Sequence, residues 1–137
     1  MEIKLTEKQF RRLLDLVYIG NWVLNSTRGD DRIRQYDEVE SLLFSLCPEQ
    51  GMTKLTELYQ GEFIPSRAFA DGGIHEAIMA YEDNMFFEIL AQELAMRDLD
   101  DPAITPENYN EIMSRMEEYL CEFERHGTDH ITVEMED

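Results

Sequence analysis

The chain has 137 residues, 43% of them apolar and 10% aromatic, with only seven glycines and four prolines. That is enough apolar material for the core of one ordinary domain and too much for a disordered chain. The net charge of −18 is lopsided. Residues 1–70 carry eleven Asp/Glu against nine Lys/Arg, whereas residues 71–137 carry nineteen against three, namely Arg97, Arg115 and Arg125. Such a field repels phosphate backbones, so direct nucleic-acid binding is not expected, and it favours a basic protein partner.

Scarce turn residues favour helices, and the pattern predicts an all-α chain, a single domain over residues 1–137 built as a bundle of four to five helices. Residues 2–5 and 130–136 alternate apolar and polar, which predicts a small two-stranded ribbon joining the two ends. Thr6 with Gln9 three residues on has capping-box spacing and starts the first helix. Phe10, Leu13, Leu14, Val17 and Leu24 share one face of it, while Lys8, Arg11, Arg12 and Asp15 lie opposite. Asn21 falls on the apolar face after Gly20, which suggests a close helix crossing there. The helix is expected to fade near residues 25–29. Asp30 or Asp31 then caps a second helix with Tyr36, Val39, Leu42, Leu43 and Leu46 as its apolar face, stopped before Pro48.

Residues 48–73 are less regular. Thr53 suggests a short helix carrying Leu55, Leu58 and Tyr59 and ended by Gly61, followed by an apolar connector. Asp71-Gly72-Gly73 breaks the chain before a long helix over about 74–99. Its stretch from Met85 to Ala91 is apolar almost all round, which marks a central helix. Thr105, Pro106 and Glu107 read as cap, first helical position and first-turn carboxylate of the last helix. Its stripe is Tyr109, Ile112, Met113, Met116, Tyr119, Leu120 and Phe123, and Gly127 supplies its stop.

No apolar run approaches the roughly 18 residues of a membrane span. The first residues lack a basic stretch followed by an apolar one, so no secretory signal is expected. Cys47 and Cys121 have no paired spacing and read as free thiols in a reducing cytoplasm.

Asn84, Glu88 and Gln92 lie four apart on the long helix and form a polar stripe within its apolar side, so they are expected to be buried. A buried carboxylate needs a partner. An arginine from the basic half is the plain reading for Glu88, and a catalytic or metal-ligating role is the sharper one. Glu122 and His126, four apart, with Asp129 and His130 just after, supply a donor set for a divalent metal, although no recognised zinc spacing is present. Solvated loop histidines are the plainer reading, and no cofactor is expected overall. Trp22 falls toward the polar side of the first helix and is a candidate anchor for a partner. No glycine-rich phosphate loop, His-Glu-x-x-His or Gly-x-Ser-x-Gly occurs.

Within residues 81–99, the pair Phe86-Phe87, then Glu88-Ile89-Leu90-Ala91, then Leu94-Ala95-Met96-Arg97-Asp98 resembles a helix of small, acidic, uncharacterised bacterial helical proteins. The resemblance brings no known activity. It implies a bacterial, cytoplasmic origin and a structural polar pair at Arg97-Asp98.

Three functions compete. The first is a non-enzymatic acidic interaction or regulatory protein, with a homodimer through Trp22 or the Met113/Met116 stripe as a variant. The second is a nucleic-acid mimic whose carboxylate row is Glu107, Glu111, Glu118 and Glu122. The third is a carboxylate enzyme using a divalent metal on a nucleotide. Glu88 would serve it as ligand or base, aided by Glu93 and by Asp37 or Glu40.

Overall fold

The fold begins where the capping-box spacing places it. Thr6 Oγ1 accepts from Gln9 N at 3.1 Å and Gln9 Oε1 accepts from Thr6 N at 2.9 Å. Helix α1 (Glu7–Asn25) follows. In this computed structural model, which describes residues 1–137, α1 is succeeded by α2 (Arg34–Phe44), the hairpin strands β1 (Thr56–Tyr59) and β2 (Glu62–Pro65), the single-turn α3 (Arg67–Phe69), the long α4 (His75–Asp98) and α5 (Tyr109–His126). The architecture is thus mainly α, with four helices longer than one turn. None of them is long and apolar enough to cross a membrane. The chain divides into two compact units, Met1–Ile78 and Met79–Asp137.

In the first unit, the core gathers Phe10 and Leu14 of α1, Phe44 of α2, Cys47, Phe69 and Ile74. Phe44 and Phe69 meet edge to face with ring centres 5.0 Å apart. The guanidinium of Arg11 lies over the other side of the cluster, 4.9 Å from the Phe69 ring centre. The joint between α1 and α2 is closed by Asn25 rather than by Asp30 or Asp31. Its Oδ1 accepts from Ile33 N at 2.8 Å, and its Nδ2 donates to Ile33 O at 3.0 Å and to Asn21 Oδ1 at 2.7 Å. Asp31 instead accepts from Arg28 and from Gly29 N. A Cβ on Gly20 would meet nothing, so the close crossing expected there does not exist.

The face of α2 is also corrected. Phe44 is fully buried and Leu43 packs on the core, but Tyr36, Val39, Leu42 and Leu46 are exposed. The inward side beyond Phe44 is polar, because Asp37 and Glu40 turn toward Asn21.

The ribbon expected between residues 2–5 and 130–136 does not form. Residues 1–5 and 131–137 are irregular. The strands present are those of the β1–β2 hairpin, with Tyr59 opposite Glu62 and Thr56 opposite Pro65. Gln60 and Gly61 both take positive φ, 51° and 81°, which is the twist that a two-residue hairpin turn requires. Only Thr53–Leu55 remains helical in the segment read as a short helix, and as a single 3₁₀ turn. Ser66 fastens the hairpin. Its Oγ donates to Lys54 O at 2.5 Å and accepts from Phe69 N at 3.2 Å. The break before α4 is a wide turn over Ala70–Ile74 in which Gly73 has φ 108°, a value that strains any residue with a Cβ.

In the second unit, Ala91 and Ala95 of α4 are fully buried, and Ile112, Met116 and Phe123 of α5 are buried nearly so. Ala95, Ile112 and Met116 form one cluster, and Phe87 faces Phe123 at 5.3 Å. Pairings of 87 with 123 and 95 with 112 and 116 make the two helices antiparallel. Thr105 and Asn108 bond reciprocally in the turn before α5, so the helix proper starts at Tyr109, later than Pro106 suggests. Gly127 ends it at φ 55°.

Truncation should separate the two faces of α2. Phe44→Ala is expected to cost about 3–5 kcal/mol in urea unfolding, because it empties a packed site. Leu42→Ala, at a side chain 64% exposed, is expected to stay within about 0.5 kcal/mol.

Candidate functional site

Three polar constellations stand out, one in the first unit and two in the second. The first is a cleft of about 660 Å³ between α1, α2 and the hairpin, lined by Tyr18, Trp22, Arg32, Asp37, Glu40 and Tyr59 among others. Asn21, buried on α1, donates to Asp37 Oδ1 at 3.0 Å and to Glu40 Oε2 at 3.1 Å. Arg32 clamps Asp37 through two bonds of 2.7 Å. The clamp and the Asn21 amide hold the Asp37 carboxyl below its ordinary range. Burial pushes Glu40 the other way, despite its bond from Asn21. Burial, with the nearby Glu40 charge, also raises Tyr18. The Tyr18 hydroxyl and His75 Nε2 share a hydrogen bond of 2.6 Å. Trp22, the candidate anchor, sits over this pair, edge to face with His75 at 4.8 Å and stacked on Tyr18 at 6.2 Å. It remains exposed, and its ring packs edge to face on His75, a neighbour that no spacing in the chain announces.

The second constellation centres on Asp98 at the end of α4. Arg115 of α5 reaches it through Nε and Nη2 at 3.0 and 2.7 Å, Arg97 through Nη2 at 2.9 Å, and the Tyr119 hydroxyl donates to it. Tyr119 first, then the two guanidinium groups, hold the Asp98 carboxyl far below the usual carboxylate range. The proximity of Asp98 raises Tyr119 in turn. Arg97 and Asp98 are bonded to each other, and Asp98 carries the contacts across to α5. Its main cross-helix partner, Arg115, is one of only three cations in the acidic half, and that scarcity was the available signal.

The third lies at the end of α5. Glu122 accepts from Nδ1 of His130 and stands 3.8 Å from Nε2 of His126. The two imidazole rings lie 4.1 Å apart. Within either unit this is the one place where three ligand-type side chains converge. Asp129 is not part of it.

Asn84, Glu88 and Gln92 are exposed, contrary to the buried stripe expected of them. The side of α4 that packs is set by Ala91 and Ala95, which a wheel weighted toward large residues overlooks. Glu88 consequently needs no arginine, and Glu93 is exposed beside it. In the carboxylate row, Glu107 and Glu111 are exposed, Glu118 is bound to Arg115 at 2.6 Å and Glu122 is held by His130. Half of the row is thus already partnered, which weakens its likeness to free phosphates. Cys47 is buried and Cys121 exposed, and both are free thiols.

No family model, no curated protein and no solved structure matches the chain.

Asp98 and Glu40 should respond to pH with opposite signs. Asp98 ionises more readily in the folded chain. Its contribution is therefore complete above the unfolded value near 4 and lost as pH falls through the folded one. The urea-unfolding difference between the wild type and Asp98→Asn is expected to be constant from pH 7 to about 5 and to shrink below about 4. Glu40 is penalised when charged and folded. Glu40→Gln keeps an acceptor for Asn21 and is expected to raise stability at pH 7, with the gain gone by about pH 4.

Proposed function

We propose that the protein is a non-enzymatic binding module whose acidic helical unit receives a basic, amphipathic segment of a protein partner. The observation that supports this reading most is the outward stripe of α4. Met79, Glu82, Phe86, Ile89 and Glu93 follow one another at helical spacings of three and four and are all exposed, Phe86 and Ile89 at 52% each. Two large apolar side chains bracketed by glutamates match the opposite pattern, an apolar strip bracketed by lysine or arginine.

The surrounding charge favours such a partner over a second copy of the chain. Residues 79–137 carry seventeen Asp/Glu against three Arg, a net of −14, so like units repel. The same excess disfavours nucleic acid as a direct partner. A cytoplasmic setting is in keeping with the two free cysteines, and the resemblance of the 81–99 segment points to a bacterial source.

A labelled amphipathic Leu/Lys helix, titrated with the full chain and followed by fluorescence anisotropy, tests the reading. A peptide of equal charge with its apolar residues scrambled around the helix is the control. Binding of the patterned peptide should exceed that of the scrambled one and should weaken with salt, as screening tightens toward a ~10 Å Debye length at 0.1 M. Phe86→Ser with Ile89→Ser leaves the charge unchanged and is expected to lose at least about tenfold in affinity, about 1.4 kcal/mol. Equal binding of both peptides, or a double variant that binds as well as wild type, would reject the stripe as the site. Sedimentation as a dimer that the same variant abolishes would assign the face to a second copy.

A further inference from the structure

A different feature, independent of the partner reading, bears on metals. Glu122 and His126 occupy the last turn of α5 on one face, and Gly127 turns the chain so that His130 returns beside them. Every pair drawn from the carboxylate oxygens and ring nitrogens of these three residues includes donor atoms within 4.8 Å of one another. Tetrahedral zinc with ligand bonds of about 2.0–2.1 Å places its donors roughly 3.3–3.5 Å apart. Glu122 and His126 are already at 3.8 Å, and Glu122 and His130 are in hydrogen-bond contact.

We propose that Glu122, His126 and His130 form a binding site for a divalent transition metal of the zinc class. Two imidazoles and one carboxylate are the donor set such ions prefer, and oxygen-seeking magnesium and calcium are poorly served by it. Three protein ligands leave a fourth position for water. The site lies at the negative end of the α5 dipole and within the most acidic part of the chain, and both features draw cations. Binding replaces the Glu122–His130 hydrogen bond with bonds to the metal, and a neutral His130 that ligates through Nδ1 carries its proton on Nε2.

Calorimetric titration of the full chain with zinc chloride, and visible absorption with cobalt(II) in its place, test the assignment. One equivalent is expected to bind, with a tetrahedral cobalt spectrum lacking the intense near-ultraviolet band of a thiolate ligand. His126→Ala and His130→Ala should each weaken binding more than tenfold. Asp129→Asn and Cys121→Ser should leave it intact, and millimolar magnesium should not compete. The histidines are exposed, so folding is checked by circular dichroism with no loss expected. Absence of stoichiometric binding, or binding equally strong in the doubly substituted His126→Ala/His130→Ala chain, would overturn the site. Loss of binding in Cys121→Ser would move it to a thiolate elsewhere on α5 and overturn it as well.

Discussion

Three guanidinium groups share the second unit with seventeen carboxylates, and two of the three are spent on Asp98. This shortage of cations governs most of what the unit does. The apolar contact between α4 and α5 is small, Ala95, Met96 and Leu99 against Ile112 and Met116 with one pair of phenylalanines further along. A contact of that size gains register and orientation from the cross-helix bonds of Arg115 and Tyr119 to Asp98. Once those are made, hardly any positive charge is left for the other acids. They must be met by water, by ions or by another molecule, and the exposed stripe of α4 and the imidazoles beside Glu122 are two places where that demand is focused.

The first unit resolves its polar groups internally. Asn25 and Asn21 form a relay in which every amide hydrogen with a named acceptor is used, from Ile33 through Asn25 to Asn21 and on to Asp37 and Glu40. No buried side-chain nitrogen or oxygen lacks a partner. Removing one amide would leave several groups unpaired, so the relay fixes the angle at which α2 meets α1. The cleft beside it has perturbed carboxylates, but Asp37 is clamped by Arg32 and Glu40 is held by Asn21. Burial and pairing required by the helix junction account for both shifts, which is why perturbed acids in a cleft do not by themselves mark catalysis.

Several local, directional signals in the sequence are followed by the structure. The Thr6/Gln9 box, the glycine break before α4 and the Gly127 stop are such signals, because each depends on a few neighbouring backbone groups. Signals that depend on what lies across the core were misread. Tyr36, Val39 and Leu42 are as periodic as any buried face, yet the choice between them and the Phe44 side was made by Asn21 and Asn25 on another helix. The hairpin was hidden for a different reason. Gln60-Gly61 lacks the Asn or Asp that announces a two-residue turn, and Leu58 and Tyr59 suit a helix as well as a strand. Of the candidate residues, Glu122, His126 and His130 were legible because helical spacing and one turn bring them together. Glu88 was not, because a helix apolar on nearly every side has no inside that a wheel can identify.

The same ambiguity on α4 has a functional edge. The residues that α4 buries completely are Ala91 and Ala95, with the larger Phe87, Met96 and Leu99 half-buried beside them. Phe86 and Ile89 are directed elsewhere. Phe86 rests edge to face on Phe87 with ring centres 4.9 Å apart, yet it and Ile89 each keep about half of their surface exposed, and solubility is worse for their presence. Retaining such side chains amid so many carboxylates is costly for an isolated chain unless something covers them. A covering surface that is apolar at its centre and positive at its edges satisfies both the stranded hydrophobic groups and the unpaired acids at once.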